Sequence, residues 1–306
     1  MLKQDDKKKK IIKYLLLIGI VVGVIIYFRD SIDDIMEEVK KTSIRELLMI
    51  TILSGLYFVI EGTIISFMTK KYVRGIGKRQ GIGCAYFCSF YRVVTFGGGS
   101  GIAEAYYLSR RGVDAAKAVG MSLVQYIIQK TAIAVYGVFG YFCWYSQMKG
   151  VVKDYGTAVL LGFFGVGLIV AVLILISVSV RFSDLVFQLL DKINWKNKKW
   201  KGKIEKMKNQ VAILQCETKE LLSEKKKLGK IFILNLIKLT SWYMIPYVVL
   251  KEDTELSAGF AVALMAVIVV LAGVLPAPSG FGSMDFVFIL LYGEITGCLL
   301  YTSRCV

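Results

Sequence analysis

The feature that most constrains this chain is a set of six nearly uninterrupted apolar runs, at residues 11–28, 47–68, 118–144, 158–180, 231–250 and 258–275. A helix needs roughly 20 apolar residues to cross a bilayer, because the hydrocarbon is about 30 Å thick. No soluble core calls for six such stretches in 306 residues, 56% of them hydrophobic, with a mean hydropathy of +0.59. The chain therefore reads as an all-α integral membrane protein, a polytopic helical bundle. The run at 11–28 follows lysines 7–10 as a signal peptide would, yet it leads into Arg29 and Asp30 without a small-residue cleavage site. It reads as an uncleaved first helix.

A net charge of +16, from 39 Lys and Arg against 23 Asp and Glu, suggests nucleic acid in a soluble protein. In a membrane protein it reflects the basic bias of cytoplasmic loops, and no nucleic-acid partner is expected. Lysines 7–10 place the N-terminus in the cytoplasm of a cell-membrane protein. Asp30, Asp33, Asp34, Glu37 and Glu38 suit the outside, whereas Lys70, Lys71, Arg74, Lys78 and Arg79 suit the inside. Arg110, Arg111 and Lys117 want the inside too, so residues 81–109 start and end on one side. The simplest shape for them is a re-entrant hairpin with glycines at its tip, since irregular backbone at membrane depth must be buried in protein or line a wet cavity. Two short crossings fit instead if the charge rule is broken.

The loop at 181–230 is the most basic part of the chain. Within it Trp195, Trp200, Ile204, Met207, Val211 and Leu214 recur at helical steps, with Lys196, Lys198, Lys199, Lys201 and Lys203 among the intervals. That pattern predicts a basic amphipathic helix on an anionic leaflet, against the plainer reading of a solvated connecting helix. There is no histidine, and six cysteines lack paired metal-ligand spacing, so neither metal nor cofactor is expected.

Residues 96–109 read FGGGSGIAEAYYLS, and the segment Gly99-Ser100-Gly101-Ile102-Ala103-Glu104 has a counterpart in Gly280-Phe281-Gly282-Ser283-Met284-Asp285. Both read G-x-G-x-x-acid, and each follows a crossing helix, a turn and an apolar run. The charges orient the two in opposite senses. This predicts an inverted repeat, with halves at about 47–144 and 231–297 and one broken-helix hairpin in each. A broken helix offers free backbone N–H groups and a positive dipole end, to which glycine admits a phosphate closely. A carboxylate at bilayer depth costs roughly 2.5–3.5 kcal/mol, so Glu104 and Asp285 should face a cavity or a partner. Candidate substrate-binding residues are thus Glu104, Asp285, Arg92, Gly98, Gly99, Gly101, Gly280 and Gly282, with Glu61, Lys130 and Lys238 as secondary candidates. In the plainer alternative the glycines permit tight packing and the acids pair with Arg92, Lys130 or Lys238. GGGSG has no following Gly-Lys-Ser/Thr, so it is no nucleotide loop.

The stretches FGGGSGIAEAYYLSRRGV at 96–113 and LPAPSGFGSMDFVF at 275–288 resemble the two signature regions of a known family. It is the flippase-like membrane domain of the lysylphosphatidylglycerol synthase/flippase proteins, the multiple peptide resistance factors. Carried over residue by residue, Gly98, Gly99, Glu104, Tyr107, Leu108, Arg111 and Gly112 fall on the first pattern, which adds Tyr107 and Arg111 to the secondary candidates. Pro276, Pro278, Gly280, Gly282 and Asp285 fall on the second, with Ser279 and Asp285 replacing the pattern's glycine and glutamate. The resemblance implies translocation of a polar-headed, aminoacylated or related lipid between leaflets, a role in antimicrobial peptide resistance, and room for a homo-oligomer. No catalytic residue is expected in this flippase-like domain, taken as residues 1–297. The alternatives are the membrane part of a lipid aminoacyl- or glycosyl-transferase whose catalytic domain lies elsewhere, or a partner-binding subunit using the lysine-rich loop. CLLYTSRCV at 298–306 departs from the membrane pattern and reads as a foreign tail on a truncated chain.

Overall fold

The computed structural model describes residues 36, 39–40, 42–70, 72–73, 76–95, 99–192, 198–251, 254–273, 275 and 283–296. The run at 11–28, Gly98, Gly280, Gly282, Trp195, Lys196 and the tail at 298–306 lie outside them. The chain forms two units, residues 1–49 and 50–306. In the first, Ser43 and Glu46 cap the start of α1 (Ile44–Thr69) reciprocally. The Glu46 amide donates to the Ser43 hydroxyl at 3.3 Å, and the Ser43 amide donates to the Glu46 carboxylate at 3.1 Å. All packing below is within the second unit.

The helices that follow are α2 (Lys78–Val94), α3 (Ser100–Ser109), α4 (Ala115–Cys143), α5 (Tyr145–Val151) and α6 (Gly156–Val178). Then come α7 (Val180–Lys192), α8 (Lys198–Ser223), α9 (Lys225–Tyr243), α10 (Ile245–Leu250), α11 (Ala258–Ala272) and α12 (Ser283–Thr296). No strand occurs among the described residues. The protein is a polytopic helical membrane protein. Among the described residues four stretches are long and apolar enough to cross a bilayer: α1, α4, α6 and the segment Lys225–Leu250 made by α9 and α10.

The run at 258–275 behaves differently from a simple crossing. Its helix α11 has 15 residues, of which 12 are buried. At 1.5 Å per residue it is about 22 Å long, short of the hydrocarbon thickness. A helix that is apolar all round belongs in a core, and α11 is the core of this bundle, packed against α4, α6, α9 and α12. The central helix α4 packs against α3, α6, α8, α9 and α11. Small residues bring α4 and α11 close together: a Cβ on Gly140 would lie 3.0 Å from Ala263, and one on Gly137 would lie 3.0 Å from Val270.

Residues 78–109 form two short helices packed against each other, α2 of 17 and α3 of 10 residues, with a break at 95–99. Neither limb is long enough to cross, as a re-entrant hairpin requires. The break is tied locally, since the Thr95 hydroxyl accepts from the Gly99 amide at 2.7 Å and donates to the Tyr91 carbonyl at 2.6 Å. Gly112, with φ +92°, closes α3 into α4, whose first amides (Ala116 and Lys117) donate to the Asp114 carboxylate. Helices α11 and α12 also pack against each other, and residues 274 and 276–282 between them lie outside the described residues.

The second half of the basic helix α8 packs into the bundle. Met207 is exposed, but Leu214 is buried in the bundle, and Ile213 and Glu217 lie against Gly120 of α4. The Gln215 amide donates to the Ile176 carbonyl of α6 at 2.8 Å and to the Ser183 hydroxyl of α7 at 3.0 Å. Glu217 accepts from the Tyr72 hydroxyl. Its second half is therefore a structural wall of the bundle. Periodicity showed an apolar stripe but not what the stripe would meet.

The α1–α2 contact is the tightest crossing. A Cβ on Gly62 would run into the Ile82 backbone nitrogen, and one on Gly81 into the Gly62 carbonyl. Gly62→Leu should destabilise the protein by about 1–3 kcal/mol through overpacking, read as a lower thermal midpoint in detergent. Gly55→Leu in the same helix, where an added Cβ meets open space, should leave the midpoint unchanged.

Candidate functional site

The broken hairpin leans on α1 and α4 around a cavity of about 500 Å³. From α1 come Tyr57, Phe58, Glu61 and Ile65; from α2 come Ala85, Cys88, Ser89 and Arg92. The first turn of α3 brings Ser100, Gly101 and Ile102, with Glu104 one turn on. Ser122, Gln125, Tyr126 and Gln129 line it from α4, and Gln210 closes one side from α8. Such volume is typical of a small-ligand site. Its walls differ from a membrane core in carrying both signs of charge.

One of these charges is already partnered. The Lys238 ammonium of α9 is fully buried and donates to the Glu61 carboxylate at 2.6 Å, while the Gln125 amide donates to the other oxygen at 2.9 Å. The ammonium also sits 5.5 Å from the centre of the Tyr57 ring. Glu61 is 14% exposed and faces the cavity, so the lysine neutralises it from behind. The plainer alternative, in which Glu104 or Asp285 pairs with this lysine, is therefore replaced by a different pair. It joins helices 177 residues apart in the chain, a relation that no local pattern encodes.

Two other charged side chains line the cavity. Among the described residues Glu104 and Arg92 make no ion pair, with each other or with anything else. Glu104 is half-buried beside the Ser122 hydroxyl, and Arg92 stands at the exposed end of α2. Between them lies the start of α3, whose first amides have no partner one turn earlier in the helix. Gly101 adds to that access, because a Cβ there would meet nothing within 4 Å.

The remaining candidates fall elsewhere. Gly99 serves the turn, since a Cβ there would strike the Thr95 side chain. Lys130 lies beyond the cavity wall, its ammonium 5.5 Å from the ring of Tyr126, which does line it. The Tyr107 hydroxyl donates to the Gln80 carbonyl at 3.1 Å, and Arg111 stacks on the Tyr107 ring at 3.6 Å, so both brace the hairpin. Asp285 is exposed in the first turn of α12 and is not brought to the cavity beside Glu104. Cys84 and Cys88 are buried fillers, and no metal-binding cluster of carboxylates or cysteines occurs among the described residues. The polar face of α4 (Ser122, Gln125 and Gln129) escaped the sequence reading. Its signal was three uncharged polar residues at steps of three and four inside an apolar run.

Removing one member of a buried pair strands the other charge, at a cost of about 3–5 kcal/mol. Lys238→Met should accordingly lower the yield of folded protein in detergent, measured by size-exclusion chromatography. Adding Glu61→Gln should restore most of it, and no recovery in the double variant would refute the pairing.

Comparison with known proteins now bears on this arrangement of a broken hairpin against a charged cavity. No curated protein and no solved structure matches the chain. One protein family does, over residues 14–297, and its span takes in every helix and every cavity residue described above. The chain belongs to the family described as the lysylphosphatidylglycerol synthase TM region.

Proposed function

We propose that this chain moves a polar-headed phospholipid, one carrying both a phosphate and an amine such as an aminoacyl group, between the leaflets of the cell membrane. The observation that carries this reading is the two opposite charges of Arg92 and Glu104, which line one cavity beside the start of α3 and make no ion pair among the described residues. An anion is favoured at Arg92 and the free amides of α3. An amine is favoured at Glu104, a carboxylate in the cavity wall to which Lys238, paired with Glu61, does not bond. A lipid of one sign alone would leave one of these groups unpaired at membrane depth, where that is costly. Family membership supports a lipid-related role.

In this reading the headgroup travels through the cavity while its acyl tails stay in lipid. The basic loops put the N-terminus in the cytoplasm. The two helix–break–helix pairs would be halves of an inverted repeat, and the second would supply the path beyond the cavity, with Asp285 at its far end. Ser122, Gln125 and Gln129 offer neutral hydrogen bonds along the way. No nucleotide loop occurs in the sequence, so the proposed drive is the lipid gradient or an ion gradient.

The test is a leaflet-resolved assay in proteoliposomes, using a fluorescent aminoacyl-phosphatidylglycerol and an impermeant quencher. Glu104→Gln and Arg92→Ala should each slow translocation by about 10- to 150-fold, the loss expected for one charge-assisted hydrogen bond of roughly 1.5–3 kcal/mol. Asp285→Asn should slow it less. Wild-type rates in both cavity variants would refute the assignment of the site, and no translocation by the wild-type chain would refute the function.

A further inference from the structure

A second pair of cavities lies on the other side of α4, away from Arg92 and Glu104. One is an apolar slot of about 450 Å³ between α4, α6, α8 and α9, walled by Ile127, Ile128, Ile174, Val178, Leu228 and Phe232. The hydroxyls of Thr131 and Ser177, which also line it, are spent on the Ile127 and Leu173 carbonyls at 2.8 and 2.6 Å. Among the described residues the buried Thr218 hydroxyl in the same wall has no partner.

The other cavity is an open basic bowl of about 900 Å³ where α1 ends and α9 begins. Five lysines line it (Lys70, Lys225, Lys226, Lys227 and Lys230) against one carboxylate, Glu224, which pairs with Lys227 at 3.4 Å. Phe67 forms its floor, with the Lys227 and Lys230 ammoniums 6.0 and 4.9 Å from the ring centre. Lys225 lines both cavities, so slot and bowl lie side by side.

We propose that slot and bowl together hold one anionic phospholipid of the surrounding leaflet, with its phosphate among the lysines and an acyl chain in the slot. A merely solvated lysine cluster would have no apolar slot beside it. A lipid-facing groove alone would need no lysines at its mouth. The charge selects an anion, and the slot requires that the anion carry a tail. The Thr218 hydroxyl in the slot wall is left for an ester carbonyl. This site is separate from the translocation cavity and shares no residue with it.

Gly229 provides a clean probe. It lines the slot, and a Cβ added to it meets nothing within 4 Å, so a larger side chain enters the slot without displacing backbone. Leucine is also the better helix former at this position in α9. The full chain is placed in phosphatidylcholine nanodiscs doped with phosphatidylglycerol bearing a diazirine on one acyl chain, photolysed, and the labelled peptides are mapped. Adducts should appear on residues 124–131 and 225–232 and fall at least fivefold in both Gly229→Leu and the charge-removing Lys225→Gln/Lys226→Gln variant. Labelling of residues 85–104 should not change in either. Free glycerol 3-phosphate in excess should fail to displace the probe. Equal labelling of the slot by a phosphatidylcholine probe would overturn the proposal, as would undiminished labelling in properly folded Gly229→Leu. Displacement by glycerol 3-phosphate would overturn it too, by showing a headgroup-only site.

Discussion

The interaction between Lys238 and Glu61 organises this protein. A fully buried ammonium inside a membrane bundle is tolerable only if a carboxylate meets it at close range. The 2.6 Å contact, with Gln125 holding the second oxygen, meets that requirement and ties α9, α1 and α4 together. Because these three helices are fixed by charge as well as by packing, the hairpin of α2 and α3 has a defined wall to close against. The same pair sets the electrostatics of the cavity, since it cancels one of its two carboxylates and leaves Glu104 as the free one.

Packing density then decides where backbone comes close enough to shape the cavity. Without a hydrophobic driving force between helices in lipid, close approach depends on small residues and internal polar contacts. Gly62 and Gly81 let α1 and α2 touch backbone to backbone, and Gly137 and Gly140 do the like for α4 against α11. The opening at Gly101 is the opposite case, a glycine with nothing above it at the head of a short helix. Glycine therefore serves two ends in one chain, contact in the bundle and access in the site.

Much of the fold was legible because membrane helices follow directly from apolar length. The spans at 44–69, 115–143, 156–178 and 225–250 lie within a few residues of the runs read from hydropathy. The run at 258–275 was the exception, since an apolar core helix and a crossing helix have the same composition and differ only in neighbours. Glu104, Arg92, Glu61 and Gly101 stood out as charges or glycines in apolar surroundings, and they do line one cavity. Asp285 stood out for the same reason and lies elsewhere. The amphipathic stripe of α8 was likewise visible, but its docking against α4 and α6 was not.

By itself the sequence determined that this is a helical membrane protein with a broken, glycine-rich hairpin, because hydrophobic length and charge distribution act locally along the chain. Only the tertiary structure decided which charge neutralises which. Glu61 and Lys238 are 177 residues apart, and their pairing follows from helix packing rather than from spacing. It also decided that Glu104 and Arg92 line one cavity with no ion pair among the described residues, since a side chain's partner depends on the helices folded around it.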